Sequence, residues 1–175
     1  VLGREIEETS RQVQSGVSGS PLESASVDDL LSNGFIRREP DGGYEYFAAD
    51  ASVLLSDRFL DTHCFRLEVD DNRPGQMGLG FEPVRAGGTP DIAGTLWLDA
   101  GTANLETLEY GYTWAPWREA RGVARGHLEF EDLPNGAWII RRWWIRMPEV
   151  ALDMSRSNAS WNEGVRVTGL KEVGG

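Results

Sequence analysis

Two soft metal ligands adjoin at one place in the chain, His63-Cys64, and the other histidine, His127, stands sixty-four residues further on. A zinc centre takes four ligands, so this pair would need carboxylates to complete it. Neighbouring residues on a strand point to opposite faces, which prevents His63 and Cys64 from chelating one ion. A thiol–imidazole nucleophile fails on the same geometry unless His127 folds beside Cys64. The remaining reading is a buried Cys64 next to a hydrogen-bonded His63. Glu129 and Glu131 share a strand face at about 6–7 Å, given the rise per residue. That separation suits glycosidase carboxylates, but a solvated acidic face beside Arg141 or Arg142 accounts for the same two residues. Ser18, in Gly16-Val17-Ser18-Gly19-Ser20, lacks the spacing of a nucleophile elbow. Gly78-x-Gly80 is followed by Glu82-Pro83 rather than a third glycine, so it is not a dinucleotide loop. Glycines there let another group pack closely on the sheet. Asn158-Ala159-Ser160 matches a glycosylation sequon, a three-residue pattern of little weight. No catalytic constellation emerges and no cofactor is required, which predicts a protein that is not an enzyme.

Recognition is better represented. Tyr110, Tyr112 and Trp114 alternate along one strand face, and Pro116 ends that strand before Trp117. Either the three aromatics fill the core, or Trp114 and Trp117 project from the sheet end as anchors for a protein or an apolar ligand. Further on, Trp138, Ile140, Arg142, Trp144 and Arg146 fall on one face, while Ile139, Arg141, Trp143, Ile145 and Met147 fall on the other. A strand covered on both sides, with arginine stems over indole rings, is one explanation. The other is a docking surface, since Trp and Arg are the types enriched at interface hot spots. The candidate partner-binding residues are therefore Trp114, Trp117, Arg142, Trp144 and Arg146.

The element that must position them is a hairpin from Gly122 to Met147, which holds three of the seven tryptophans. Leu128 and Phe130 point one way and His127, Glu129 and Glu131 the other, the alternation of a strand with one buried face. At the turn, Asn135-Gly136 alone would suggest a two-residue loop. Pro134 instead favours a type I turn on Pro134-Asn135 with Gly136 left-handed as a bulge. Glu129 then lies opposite Arg141; in the two-residue register it lies opposite Arg142. A second hairpin, Ile92 to Trp114, precedes it directly, so residues 92–147 are expected to form at least four consecutive antiparallel strands. Earlier, Ser26 and Asp29 resemble a capping box for a short helix that stops at Asn33-Gly34. A small hairpin spans Phe35 to Phe47 around Pro40-Asp41-Gly42-Gly43, and a helical turn at Leu54 to Asp61 feeds a strand at Phe65–Val69. After Pro148 the pattern weakens. Met154 to Asn162 reads as a loop, with a last strand at Val165 to Val173.

The predicted fold is mainly β: a curved antiparallel meander of hairpins, half-barrel-like, with one or two short helices. Residues 1–25 read as an N-terminal arm and linker, and 26–175 as the β domain. Ordering a backbone costs roughly 1–2 kcal/mol per residue, more than the arm's few aliphatic side chains return, so the arm is expected to gain structure only against a partner. The net charge of −11 disfavours nucleic acid and anionic membrane surfaces. No run approaches the ~18 apolar residues of a membrane span. The chain opens on Val1 and is read as a processed or excerpted piece of a longer product. Cys64, the single cysteine, allows no intrachain disulfide and leaves the redox compartment open.

Four segments carry a family resemblance: Gly34-Phe35-Ile36-Arg37-Arg38 with Gly42-Gly43, Leu55 to Phe65, Gly94-Thr95-Leu96-Trp97-Leu98-Asp99, and Gly136-Ala137-Trp138-Ile139-Ile140 to Pro148. Over about residues 34–150, and at Val173-Gly174-Gly175, the chain resembles uncharacterised secreted bacterial proteins labelled carboxypeptidase-regulatory-like-domain-containing, in the region downstream of that small sandwich. The resemblance implies a periplasmic or secreted location; its label does not imply peptidase activity, and it supplies no assigned catalytic residues. In its strand–turn–strand rhythm the group is also similar to periplasmic lipoprotein-carrier folds, where a curved sheet wraps a helix. The expectation is a non-enzymatic interaction module, an accessory subunit docking on other protein subunits of a membrane-associated complex for transport, respiration or photosynthesis. The alternative is a carrier holding an apolar ligand or lipid inside the sheet.

Overall fold

The structure, a computed structural model, describes residues 22, 24–40, 43–85, 88–116, 120–157 and 160–175, with backbone alone for 152–157 and 160–165. The arm reading therefore lies outside the described residues up to position 21. Leu22 and Ala25 pack against the core, and the Ser24 hydroxyl donates to the Ala48 carbonyl at 3.0 Å.

Three short helices and a small hairpin come first. Helix α1 (Val27–Asn33) starts as its capping residues predict, with Ser26 Oγ accepting from the Asp29 amide, and ends at Gly34, whose φ is +90°. Strands β1 (Ile36–Arg38) and β2 (Tyr44–Tyr46) form a two-stranded antiparallel pair. Helices α2 (Ala51–Leu54) and α3 (Asp57–Thr62) follow, each N-capped by an oxygen-bearing side chain, Asp50 and Ser56. One helical turn was expected at 54–61; two short helices stand there, separated at Leu55 and by the second cap, Ser56.

The rest is one antiparallel meander: β3 (His63–Glu68), β4 (Gln76–Pro83), β5 (Ile92–Asp99), β6 (Leu105–Tyr112), β7 (Arg125–Asp132), β8 (Trp138–Ser157) and β9 (Ser160–Gly174), paired in chain order. The sheet is not closed into a barrel. One face carries Phe81, Ile92, Leu96, Leu108, Tyr110, Tyr112, Leu128, Trp143, Ile145 and Met147, all buried. Leu30, Phe35, Tyr46, Phe47, Val53 and Phe59, from the segments before β3, pack into the same cluster. Each such side chain contributes roughly 1.5–3 kcal/mol of burial. The Tyr112 hydroxyl fastens the two layers by donating to the Phe47 carbonyl at 2.9 Å. Two glycines admit this packing: a Cβ at Gly126 would overlap the Tyr110 ring, and one at Gly94 the backbone of Glu109.

The turn at 133–136 is the proline-directed one. The Gly136 amide donates to Leu133 and φ at Gly136 is +78°, so Phe130 faces Ile140. A second bulge between Glu129 and Phe130 then shifts the register, and Glu129 pairs with Arg142 along the backbone. Strict alternation had placed Ile140 with Trp144. The bulge instead turns Ile140 to the core side with Trp143 and Ile145, and leaves Trp138 and Ile139 at the turn 45% and 42% exposed.

The expected loop at 154–162 is also corrected: β8 runs to Ser157 and β9 starts at Ser160. Pro148 explains why the pattern faltered. Trp143 exchanges both backbone bonds with Gly175, so alternate residues Ile145 and Met147 face β9 while Trp144, Arg146 and Pro148 turn their backbones toward β7. The last β7 pair is Arg125 with Arg146, so a proline at 148, which has no N–H, stands where β7 has ended. Beyond it β8 pairs with β9 alone. From Glu149 to Ser157 this two-stranded ribbon extends on the order of 30 Å at the usual rise per residue. Among the described residues no helix is long and apolar enough to cross a membrane.

Candidate functional site

The sheet face turned away from the core carries a row of charged and aromatic side chains. Glu109, His127 and Trp144 are neighbours on β6, β7 and β8. The His127 ring lies parallel to the Trp144 indole with centroids 5.3 Å apart, and the Arg146 guanidinium sits 4.3 Å from the same indole. Arg146 is further held by Glu172 on β9 at 2.6 Å. On the other flank, Arg73 covers Trp97 at 4.4 Å and pairs with Glu109 at 2.6 Å, while the Trp97 indole N–H donates to Glu109 at 3.2 Å. Trp97 lies over Gly78, where a Cβ would stand 2.9 Å from its ring, so the close approach expected at these glycines is present.

Basic and acidic side chains alternate along this row: Arg73, Glu109, His127, Glu129 and Arg141, with His127 3.3 Å from Glu129 and Arg141 2.6 Å from Glu129. Partial burial pushes the Glu129 carboxyl up. Hydrogen bonds from Arg141 and His127, with the attraction of both, outweigh it and hold the group below the ordinary glutamate range. A glycosidase acid must keep its proton near neutral pH. Glu129 is built to lose it.

Two open grooves flank Trp144. One, of about 540 Å³, is lined by Glu129, Arg141, Arg142 and Glu172; the other, of about 430 Å³, by Glu109, Gly111, Arg125 and His127. Of the residues expected to bind a partner, Arg142, Trp144 and Arg146 are thus brought together here. Trp144 itself is half-buried, in contact with His127 and Arg146. Trp114 is elsewhere, beyond the end of β6, 39% exposed and tilted against Tyr44 at 6.3 Å. Trp117 lies outside the described residues.

The His63-Cys64 reading is corrected in one half. His63 is buried, with Nδ1 2.9 Å from the Phe59 carbonyl and its ring stacked on Phe59. Cys64 is exposed. Phe65 faces the core, so period two sends Cys64 to the outer face with Arg66 and Glu82. His127 is four strands from it, roughly 19 Å at the usual strand spacing, so no thiol–imidazole pair forms. Among the described residues no group of three or more His, Cys, Asp or Glu could hold a metal. Sequence reasoning missed Glu109, Trp97 and Arg73, which join the row that ends at Trp144 only through strand order. Neither a protein-family model, nor a curated protein, nor a solved structure matches this chain.

Proposed function

We propose that the chain is a non-enzymatic docking module, an accessory or structural subunit that meets other protein subunits of a membrane-associated complex outside the cytoplasm. The observation that carries this reading is the β8–β9 ribbon. An isolated two-stranded hairpin is marginal in water, and this one projects past the sheet with β9 as an open edge along its whole length. Paired edges and ribbons of this kind are completed by partner chains. The base of the ribbon holds Arg142, Trp144 and Arg146 beside the larger groove. Charge agrees: β8 and β9 carry six Arg and Lys against four Asp and Glu, in a chain whose net charge is −11. The base of the ribbon, with Arg141, Arg142, Arg146 and Lys171 against Glu172, is therefore the cationic part of an acidic molecule and suits an acidic partner surface. The location rests on the family resemblance. The carrier alternative loses ground because the helical layer fills the core face that a ligand would need.

A photo-crosslinking residue placed at Arg142 tests the proposal in the native host, with the same residue at Glu82 on the far side of the sheet as control. One discrete protein adduct from position 142, absent from position 82, is the expected result. Equal labelling from both positions, or none from 142, rejects the docking surface.

A further inference from the structure

A smaller and more enclosed cavity, of about 250 Å³, meets the His127 groove at Ala93 and is lined by Glu82, Arg85, Asp91, Thr113 and Trp114 among others. Two of its polar side chains are fully engaged. Thr113 Oγ1 donates to the Asp91 carbonyl and accepts from the Asp91 amide, and Glu82 is paired with Arg66 at 3.0 Å. Asp91 and Arg85 keep capacity for a ligand. The contacts of the Asp91 carboxylate both fall on Oδ1, which accepts from the Ile92 amide at 2.8 Å and lies 3.4 Å from His63 Nε2. Arg85, exposed at the rim, has no ion pair among the described residues.

Behind Asp91 is the fully buried His63 side chain, whose Nε2 makes no hydrogen bond. Nδ1 is committed to the Phe59 carbonyl, and Nε2 is left without a hydrogen bond 3.4 Å from a carboxylate whose other oxygen has no contact among the described residues. One wall is the Trp114 indole, and the floor includes Pro83 and Ala93.

We propose that this cavity binds a small zwitterion, an α-amino acid, with its ammonium on Asp91, its carboxylate on Arg85 and an apolar side chain against Trp114. A carboxylate with one oxygen to spare, a guanidinium with no ion pair among the described residues and an aromatic side chain complement those three groups. A simple amine would leave Arg85 opposing it, and a simple acid would meet Asp91 and Glu82.

The test titrates the ¹⁵N-labelled full chain with L-leucine and with the two molecules that each lack one charge, 3-methylbutylamine and 4-methylpentanoate. The signal is the Trp114 indole N–H, assigned with Trp114→Phe, together with the His63 ring resonances. Leucine should shift both saturably, and each analogue should bind at least tenfold more weakly. Asp91→Asn and Arg85→Gln should each weaken leucine at least tenfold. Arg85 is an exposed loop residue, so that variant keeps the fold. Absence of a saturable shift, an analogue that binds as well as leucine, or leucine binding that survives both substitutions overturns the assignment.

Discussion

Glu129 sits between Arg141 and His127, and its lowered carboxyl pKa sets the sign of a stability effect. A carboxyl depressed in the folded state adds stability that is fully present above its unfolded value, near 4.5, and is lost as pH falls through the lower folded value. Arg141→Gln removes the first of the lowering contacts. The Arg141 side chain is 62% exposed, so the cost at pH 6–7 should be about 0.2–1 kcal/mol. Urea unfolding of both proteins should show that gap closing below about pH 4; a gap that persists at pH 3 would mean the arginine acts through packing alone. Cys64 makes a cleaner case. Exposed on β3, it should react with a thiol reagent in the native state at close to the rate of the unfolded chain, one equivalent per molecule. Slow labelling would return it to the core. The alternation that placed Phe65 inside already pointed Cys64 outward, and the general tendency of cysteine to be buried obscured that. The turn itself was legible from Pro134 and Gly136, but its register put Glu129 opposite Arg141, where the bulge pairs it with Arg142 and leaves Arg141 to reach it by side chain alone.

Elements were legible where pattern and turn chemistry agreed, as in β5 to β8, and where caps were spelled out, as at Ser26 and Gly34. The second β7–β8 bulge was not, because nothing in Ile140-Arg141-Arg142-Trp143 marks which arginine is extra. That single residue decides whether Ile140 or Trp144 faces the core. The ribbon was hidden for another reason. Pro148 weakens a strand pattern, yet it excludes only a seventh-strand neighbour on one side and leaves pairing with β9 intact. The ribbon therefore has half the backbone partners of the central strands, and among the described residues each of its strands pairs only with the other. Local opening should be correspondingly easy. In native-state hydrogen exchange, amides of 150–157 and 160–167 should exchange at least tenfold faster than those of β6 and β7. Protection equal to the central strands would show that the ribbon is supported within the free chain, and the docking proposal would lose its main argument.

At the scale of the molecule, charge is distributed unevenly in a way that element order alone produces. The ribbon strands come last and are the only large part of the chain with more cations than anions, while the described sheet and helices before them are acidic. A partner therefore approaches in a field that repels anions from most directions and admits them at β8 and β9. Such steering raises association rates and fades as salt shortens the Debye length from about 10 Å at 0.1 M to about 3 Å at 1 M. For the protein captured from position 142, the association rate should fall steeply over that range while the dissociation rate changes little. Arg142→Glu should slow association at low salt by several-fold and flatten the salt dependence, because it reverses a charge exposed at the groove without touching the core face. Arg146→Glu should do more, since it also uncovers the Trp144 indole and sets a carboxylate against Glu172. If both variants associate at the wild-type rate and keep its salt slope, the partner is not met by the ribbon base, and the arginines there serve only to hold the outer sheet face together.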